Sequence, residues 1–174
     1  MITKKGVKKL EIGPGLQHHP GYTTVDIEKK YHPDILGDFR DMKFENLEEV
    51  RTHHLLEHFD RKESIKVLKQ WISWLKKGGK LTTETPDFER ICSMFTSQPP
   101  RLWGTRDMMT MHAYGSQESS WAHHKSAWWK EKFEEVLPKL GMEIELIKAN
   151  HSYYRNENNI KHRLPNILAI ARKK

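Results

Sequence analysis

The 174-residue sequence contains a single cysteine, Cys92. One thiol cannot form a disulfide within the chain or supply a four-cysteine zinc site, so we exclude a disulfide-stapled fold and expect a reducing, cytoplasmic setting. Long apolar runs are absent too, because no stretch approaches the roughly 18 residues of a membrane span. Residues 1–10 are basic but lack the apolar stretch that would follow in a secretion signal.

Internal repeats, low-complexity tracts and runs of five like charges are also absent. Their absence argues against solenoid, fibrous and disordered-tail proteins. The length suits one domain, and six Trp, six Phe and five Tyr provide large side chains for a core. We therefore predict a single domain over residues 1–174.

The charge balance favours anionic partners. The chain has 30 Lys and Arg against 23 Asp and Glu, a formal net charge of +7. Most of this excess lies in residues 91–174. A basic surface attracts nucleic acid, phosphosugars, nucleotides or acidic lipid without choosing among them.

The first half of the chain alternates short strands with one long helix. The helix is predicted over residues 61–77, with Asp60 and Glu63 at capping-box spacing and Gly78 and Gly79 ending it. The strands are predicted at residues 8–12, 22–27, 34–36, 49–53 and 80–85. This strand–helix–strand order is typical of a parallel sheet.

The second half is less regular. We predict a helix at 87–96, a polar and aromatic stretch to residue 125, and a helix that Ser126 caps. Its buried face would include Trp129, and Gly141 would end it. Two closing strands are predicted at 142–148 and 166–172.

The motifs at the strand ends follow a recognisable order. Together they resemble those of class I S-adenosylmethionine-dependent methyltransferases. They are Glu11-Ile12-Gly13-Pro14-Gly15, Asp26, Gly37-Asp38-Phe39, His54-Leu55-Leu56-Glu57-His58-Phe59 and Leu75-Lys76-Lys77-Gly78-Gly79-Lys80-Leu81.

This resemblance implies an α/β, Rossmann-like fold with a seven-stranded, mostly parallel sheet whose last strand is antiparallel. Tyr114-Gly115-Ser116-Gln117 followed by His124-Lys125 is similar to a subgroup of small predicted methyltransferases associated with polysaccharide biosynthesis. The resemblance covers nearly the whole chain.

The same resemblance implies S-adenosylmethionine as the cofactor. Glu11, Gly13 and Gly15 would line its methionine end, Asp26 its ribose, and Asp38 its adenine amino group. The remaining residues implied at the cofactor are Pro14, Ile27, Phe39, His53 and His54. Glycine allows close approach of the backbone to a ligand, and a carboxylate after the second strand can accept from both ribose hydroxyls.

Two departures from the family pattern concern the first turn. Gln17 stands where the family usually has a third glycine, and only 12 residues separate Gly13 from Asp26. A full crossover with its own helix needs at least about 10–12 residues. We therefore predict a shortened first crossover made of a loop or a single turn.

Histidines are the candidate catalytic groups. Methyl transfer to a hydroxyl benefits from a base, and a histidine side chain titrates near neutral pH. We favour His124 as this base and place His54 second. Tyr114, Gln117, His124 and Lys125 are the predicted substrate-binding residues, within a substrate-side lid or insertion at 97–125. The predicted activity is O-methylation of a small acceptor, such as a sugar, glycolipid precursor or nucleotide-like molecule, anionic ones included.

Two other functions remain open. The net charge and the missing glycine fit a non-catalytic module that binds RNA or another ligand on the same scaffold. His54-Leu55-Leu56-Glu57-His58 also matches the His-x-x-Glu-His signature of a zinc peptidase class. That signature needs a helix, whereas here it directly follows a strand, so we expect no metal. In a purely structural role, Glu57 and His58 would tie this loop to neighbouring backbone.

Overall fold

The computed structural model of the protein describes residues 2–3, 6–97, 105–155 and 161–174. Its strands are β1 (Ile2–Thr3), β2 (Lys9–Ile12), β3 (Thr23–Asp26), β4 (Ile35–Leu36), β5 (Met42–Lys43), β6 (Leu47–His53), β7 (Leu75–Pro86), β8 (Met142–Arg155) and β9 (Lys161–Lys173). Its helices are α1 (Arg61–Trp74), α2 (Phe88–Ser97), α3 (Thr105–Tyr114) and α4 (Lys130–Lys139).

Seven strands form one sheet in the order β4-β3-β2-β6-β7-β9-β8, while β1 and β5 pair separately. Strand β9 runs antiparallel to both β7 and β8, and the other pairs are parallel. The predicted mixed sheet with an antiparallel last strand is therefore confirmed. The strand order reverses between β2 and β6, which opens a crevice beyond the carboxyl ends of these strands.

The first crossover is short, as predicted. No helix lies between β2 and β3, and residues 13–22 connect them as turns and loop. The buried carboxylate of Glu11 holds this loop, since it accepts from the main-chain N–H of His19 at 3.0 Å and contacts the ring Nδ1 of His19 at 2.6 Å. Glu11 therefore anchors the loop that follows β2, next to the crevice.

Helix α1 begins as predicted but ends earlier. The Asp60 carboxylate accepts from the main-chain N–H groups of Lys62 and Glu63, both at 2.8 Å, and caps the first turn. The predicted helix over 61–77 is wrong in its last turn, because α1 ends at Trp74. Leu75 is buried and pairs with Leu47 of β6, so the chain is already extended there.

Helix α3 was not predicted. It occupies part of the stretch expected to be irregular, and it buries Met108, Met109 and His112. Its two methionines belong to a small apolar cluster with Ile91 of α2 and Leu164 of β9. Within the described residues, no helix is long and apolar enough to cross a membrane.

The start of α4 also differs from the sequence expectation. Ser126 is not the cap, since the helix begins at Lys130 after Trp129, which makes no side-chain capping bond. Trp128 is fully buried and stacks on Phe133, with ring centroids 4.8 Å apart. Trp129, predicted on the buried face, is 36% exposed. An extended backbone places neighbouring side chains on opposite sides, so only one of the pair enters the core.

We expect Trp128→Ala to destabilise the protein by about 3–5 kcal/mol, because it removes a large buried side chain and leaves a cavity. Trp129→Ala is the matched control and should cost less than about 1 kcal/mol. Urea denaturation of the two variants measures both values. Equal losses would contradict the burial difference between the two indoles.

Candidate active site

A cleft of about 510 Å³ lies at the carboxyl ends of β2, β3 and β6. This volume is within the usual 300–1,000 Å³ range of small-molecule sites. The structure brings most of the predicted site residues together here. Those that line the cleft are Gly13, Pro14, Gly15, Asp26, Ile27, Asp38, Phe39, His53, His54 and Lys125.

Four predicted residues are not among those lining the cleft: Glu11, Tyr114, Gln117 and His124. Glu11 is buried behind the glycine turn, where it holds His19. Tyr114 is 61% exposed at the end of α3, and Gln117 is exposed in the following loop. The side chain of His124 is mostly buried, and its Nε2 lies 3.9 Å from Oε1 of Glu57.

The turn after β2 requires glycine at its first position. Gly13 has a φ of +63°, and a Cβ atom there would lie 3.2 Å from Cδ1 of Leu55. Its main-chain N–H donates to the carbonyl of Val25 at 2.8 Å, which fixes the turn against β3. A side chain would therefore be strained and would push against the loop that follows β6.

Asp26 projects from the end of β3 into the cleft and is 8% exposed. Its Oδ1 accepts from the main-chain N–H of Glu28 at 2.9 Å, and its Oδ2 accepts from that of Gly15 at 3.3 Å. A carboxylate has about four lone-pair sites, so one on each oxygen remains for a ligand. These two bonds orient the carboxylate for a pair of neighbouring hydroxyls.

Asp38 also lines the cleft, and its carboxylate already accepts hydrogen bonds from Arg40. The guanidinium of Arg40 donates to both carboxylate oxygens, at 2.6–3.0 Å, and also contacts Glu63 at 2.8 Å. Burial raises the pKa of Asp38, but hydrogen bonds from Arg40 outweigh it and lower the pKa overall. Phe39, next to it, is buried and packs edge-on against Phe59 at 5.8 Å.

Glu57 is the centre of a buried polar network next to the cleft. It lies in a 3-10 turn, Leu56–His58, and its side chain is 2% exposed. Its Oε1 accepts from Nδ1 of His54 at 3.0 Å and lies 3.9 Å from Nε2 of His124. Burial raises the pKa of Glu57, but the hydrogen bond from His54 and the nearby histidines lower it to about 2. The carboxylate is therefore ionised at neutral pH.

Both ring nitrogens of His54 are engaged. Its Nδ1 donates to Glu57, and its Nε2 lies 3.0 Å from Nδ2 of Asn166, which also donates to Glu84 at 2.7 Å. The carboxylate of Glu84 can only accept, so it fixes the position of Nδ2 of Asn166 and leaves Oδ1 to face Nε2 of His112 at 3.0 Å. The second amide hydrogen of Asn166 then donates to Nε2 of His54. Burial lowers the pKa of His54, but the hydrogen bond to Glu57 and the charges of Glu57 and Glu84 outweigh it and raise the pKa overall. Even when the ring is neutral, both of its nitrogens are engaged and no lone pair is free.

His124 has the opposite arrangement. Its Nδ1 donates to the main-chain carbonyl of His112 at 3.0 Å, because a carbonyl can only accept. In the neutral ring, Nε2 therefore carries the lone pair. Burial lowers the pKa of His124, which favours this neutral form. Of the two predicted catalytic histidines, His124 has the chemically available nitrogen.

Sequence reasoning missed several residues of the site. His112, Asn166 and Glu84 belong to this network, and Arg40 binds the carboxylate of Asp38. The only signal for Asn166 and Glu84 was a polar residue inside a predicted strand, and both are buried. Their contacts with His53, His54 and His112 join distant parts of the chain. Such pairings follow from the sheet order rather than from local spacing.

Comparisons with known proteins show the fold. No protein-family model and no curated protein matches the sequence. A structure of a candidate methyltransferase from Bacillus halodurans C-125 is 16% identical, with 98% of this chain and 94% of that chain covered and a TM-score of 0.62. A SAM-dependent methyltransferase from Methanosarcina mazei is 13% identical, with 98% and 93% covered and a TM-score of 0.60. The plantazolicin methyltransferase BpumL, in complex with a pentazolic desmethylPZN analog and SAH, is 14% identical, with 97% and 77% covered and a TM-score of 0.56.

Proposed function

We propose that this protein is an S-adenosylmethionine-dependent methyltransferase. The observation that carries the proposal is the position of the cleft, at the reversal of strand order between β2 and β6, with a glycine turn and Asp26 on its walls. Ligands of open α/β sheets bind at this position. The structural neighbours support it, since they include SAM-dependent methyltransferases and one complex with SAH.

The residues present fit the cofactor. Asp26 has a free lone pair on each oxygen for the two ribose hydroxyls, and the turn at Gly13–Gly15 leaves room for the methionine end. Phe39 would face the adenine ring, and Asp38 would accept from the adenine amino group in exchange for part of its contact with Arg40. Ile27, His53 and His54 complete the proposed cofactor walls. When bound, the cofactor supplies an activated methyl group, and the protein aligns the acceptor with it.

The acceptor is proposed to be a small molecule that is methylated on oxygen, in the class of sugars, glycolipid precursors and nucleotide-like compounds. Lys125 and Trp121 line the cleft and offer a positive charge and an aromatic face to such a molecule. Both belong to the segment 97–125, which we propose as the substrate side, with Tyr114 and Gln117 at its outer edge. Arg101 and Trp103 of this segment lie outside the described residues. The relation to polysaccharide biosynthesis and the cytoplasmic setting remain predictions.

His124 is proposed to activate the acceptor hydroxyl. Its Nε2 carries the lone pair that this task needs, and Glu57 nearby stabilises the positive charge that forms when the proton is drawn away. His54, whose nitrogens are both engaged, becomes a positioning residue that orients Glu57.

The direct test of this proposal is cofactor binding. S-adenosylmethionine or S-adenosylhomocysteine at about 100 times its Kd should raise the Tm by about 5–10 °C, since such a ligand adds about 2.7 kcal/mol to a domain of this size. A thermal-shift assay measures the change, with NAD at equal concentration as the control nucleotide. A Tm that neither adenosyl compound moves would refute the proposed function.

A further inference from the structure

A second set of potential ligands lies against the proposed acceptor pocket. One ring nitrogen each of His58 and His124 and one carboxylate oxygen of Glu57 lie within 4.8 Å of one another. Glu57 is buried, and the two histidines are partly buried. His58 also lines the cleft, so the cluster is open towards the ligand side.

The two histidines are held in the same tautomer. Nδ1 of His58 donates to the carbonyl of His123 at 3.1 Å, and Nδ1 of His124 donates to the carbonyl of His112 at 3.0 Å. Each neutral ring therefore keeps its proton on Nδ1 and its lone pair on Nε2. A hydrogen bond from one ring nitrogen to a main-chain carbonyl is typical of histidines that bind a metal through the other.

The carboxylate between them lacks a full set of partners. Oε1 of Glu57 accepts from His54, but Oε2 has no hydrogen-bond partner within the part of the chain that the structure describes. It is a buried oxygen of an ionised group, and such an oxygen is costly to leave without a partner. A bound cation next to Oε2 would remove this cost.

We propose that Glu57, His58 and His124 bind a divalent transition-metal ion such as Zn²⁺. Two imidazole nitrogens and one carboxylate oxygen form a common ligand set for Zn²⁺ in catalytic sites, where a further position stays open. With bonds of about 2.0–2.1 Å, tetrahedral ligands lie about 3.3 Å apart. Nε2 of His124 lies 3.9 Å from Oε1 of the same carboxylate, so small side-chain rotations would bring Nε2 and the unpartnered Oε2 to this distance.

The role of the ion rests on the proposed function, although its binding does not. A cation at this position would hold the acceptor oxygen and lower the pKa of its hydroxyl. His124 would then activate the acceptor as a metal ligand, and the proton of the hydroxyl would pass to water in the open cleft. This proposal replaces the expectation that the protein binds no metal. Its ligand set also differs from that of the His-x-x-Glu-His signature, which would use His54 and His58.

The neighbouring cluster of His53, His54 and Glu84 is less suited to a metal. Both nitrogens of His54 are engaged, and the two oxygens of Glu84 accept from Asn166 and Asn150 at 2.7 and 2.8 Å. A metal there would have to displace these bonds. Glu84 therefore serves as the control residue that separates the two clusters.

The test is a titration of tag-free, EDTA-treated and dialysed protein with Zn²⁺ by calorimetry and with Co²⁺ by its visible absorption. We expect one ion per chain. Glu57→Gln and His124→Ala should weaken binding by about 100-fold or more, because each removes a ligand. His123→Ala should bind normally, since only its main-chain carbonyl takes part.

The outcomes of this titration distinguish the proposed site from the alternatives. The absence of binding to the parent protein overturns the proposal. Binding by Glu57→Gln and His124→Ala as tight as that of the parent protein also overturns it. Loss of binding only in Glu84→Gln also overturns it and places the metal at the other cluster. Should Glu57→Gln fail to fold, His58→Ala, at a partly exposed position, provides the same comparison. The cofactor is not in the assay, so a failed metal site leaves cofactor binding, and with it the proposed function, intact.

Discussion

Replacing Asp26 with alanine is expected to weaken S-adenosylmethionine binding by about 10²–10⁴-fold. The carboxylate has one free lone pair on each oxygen, because its other bonds go to the N–H groups of Gly15 and Glu28. A hydrogen bond to a charged group contributes about 1.5–3 kcal/mol, so losing two costs about 3–6 kcal/mol. Calorimetric titration with S-adenosylhomocysteine measures this loss.

Two variants control for structural damage. Asp26→Asn keeps an acceptor oxygen and should lose less affinity than Asp26→Ala. Asp41→Ala removes an exposed carboxylate that does not line the cleft, and its affinity should equal that of the parent protein. An Asp26→Ala variant with full affinity would remove Asp26 from the site.

Replacing His124 with alanine is expected to lower kcat by about 10²–10⁴-fold, the usual contribution of a positioned acid or base. Cofactor affinity should stay the same, because His124 is not among the residues that line the cleft. The measurement uses methyl-labelled S-adenosylmethionine and the best acceptor from a panel of sugar phosphates, nucleotides and glycolipid head groups. The same protein is titrated with S-adenosylhomocysteine.

The neighbouring His123 provides the control, since its side chain is exposed and only its carbonyl contacts His58. His123→Ala should therefore keep the parent kcat. A fully active His124→Ala variant would exclude His124 from acceptor activation, both as a base and as a metal ligand. A parallel loss of cofactor affinity would instead indicate that the variant disturbs the cleft.

The sequence predicted the sheet, and it predicted most of the strand-end residues that line the cleft, because both depend on local patterns. Glycine after β2, a carboxylate after β3 and an apolar periodicity in α1 each occupy one short segment. Parallel pairing then brings strand ends to a common edge, so residues far apart in sequence meet without further information. Gly13 and Asp26 both line the cleft for this reason.

The polar network around Glu57 was not predicted, because its contacts are specific and non-local. His54 meets Asn166 across 112 positions, and Glu84 meets the same amide across 82. No periodicity in the sequence indicates which buried polar side chains will form hydrogen bonds with each other. The tautomers of His58 and His124 depend on single main-chain carbonyls in the loops that hold them. The end of α1 was misplaced for a related reason, since pairing of Leu75 with β6 overrode the helical pattern.

The place of β9 between β7 and β8 also constrains the order in which these strands can pair during synthesis. Strand β8 leaves the ribosome first, but its partner in the sheet is β9, so it has no edge to join until β9 follows. Until then β7 presents an open hydrogen-bonding edge to other nascent chains. Because Asn166 lies on β9, its contact with His54 can form only after β9 has been synthesised, whereas the glycine turn and Asp26 are synthesised well before it.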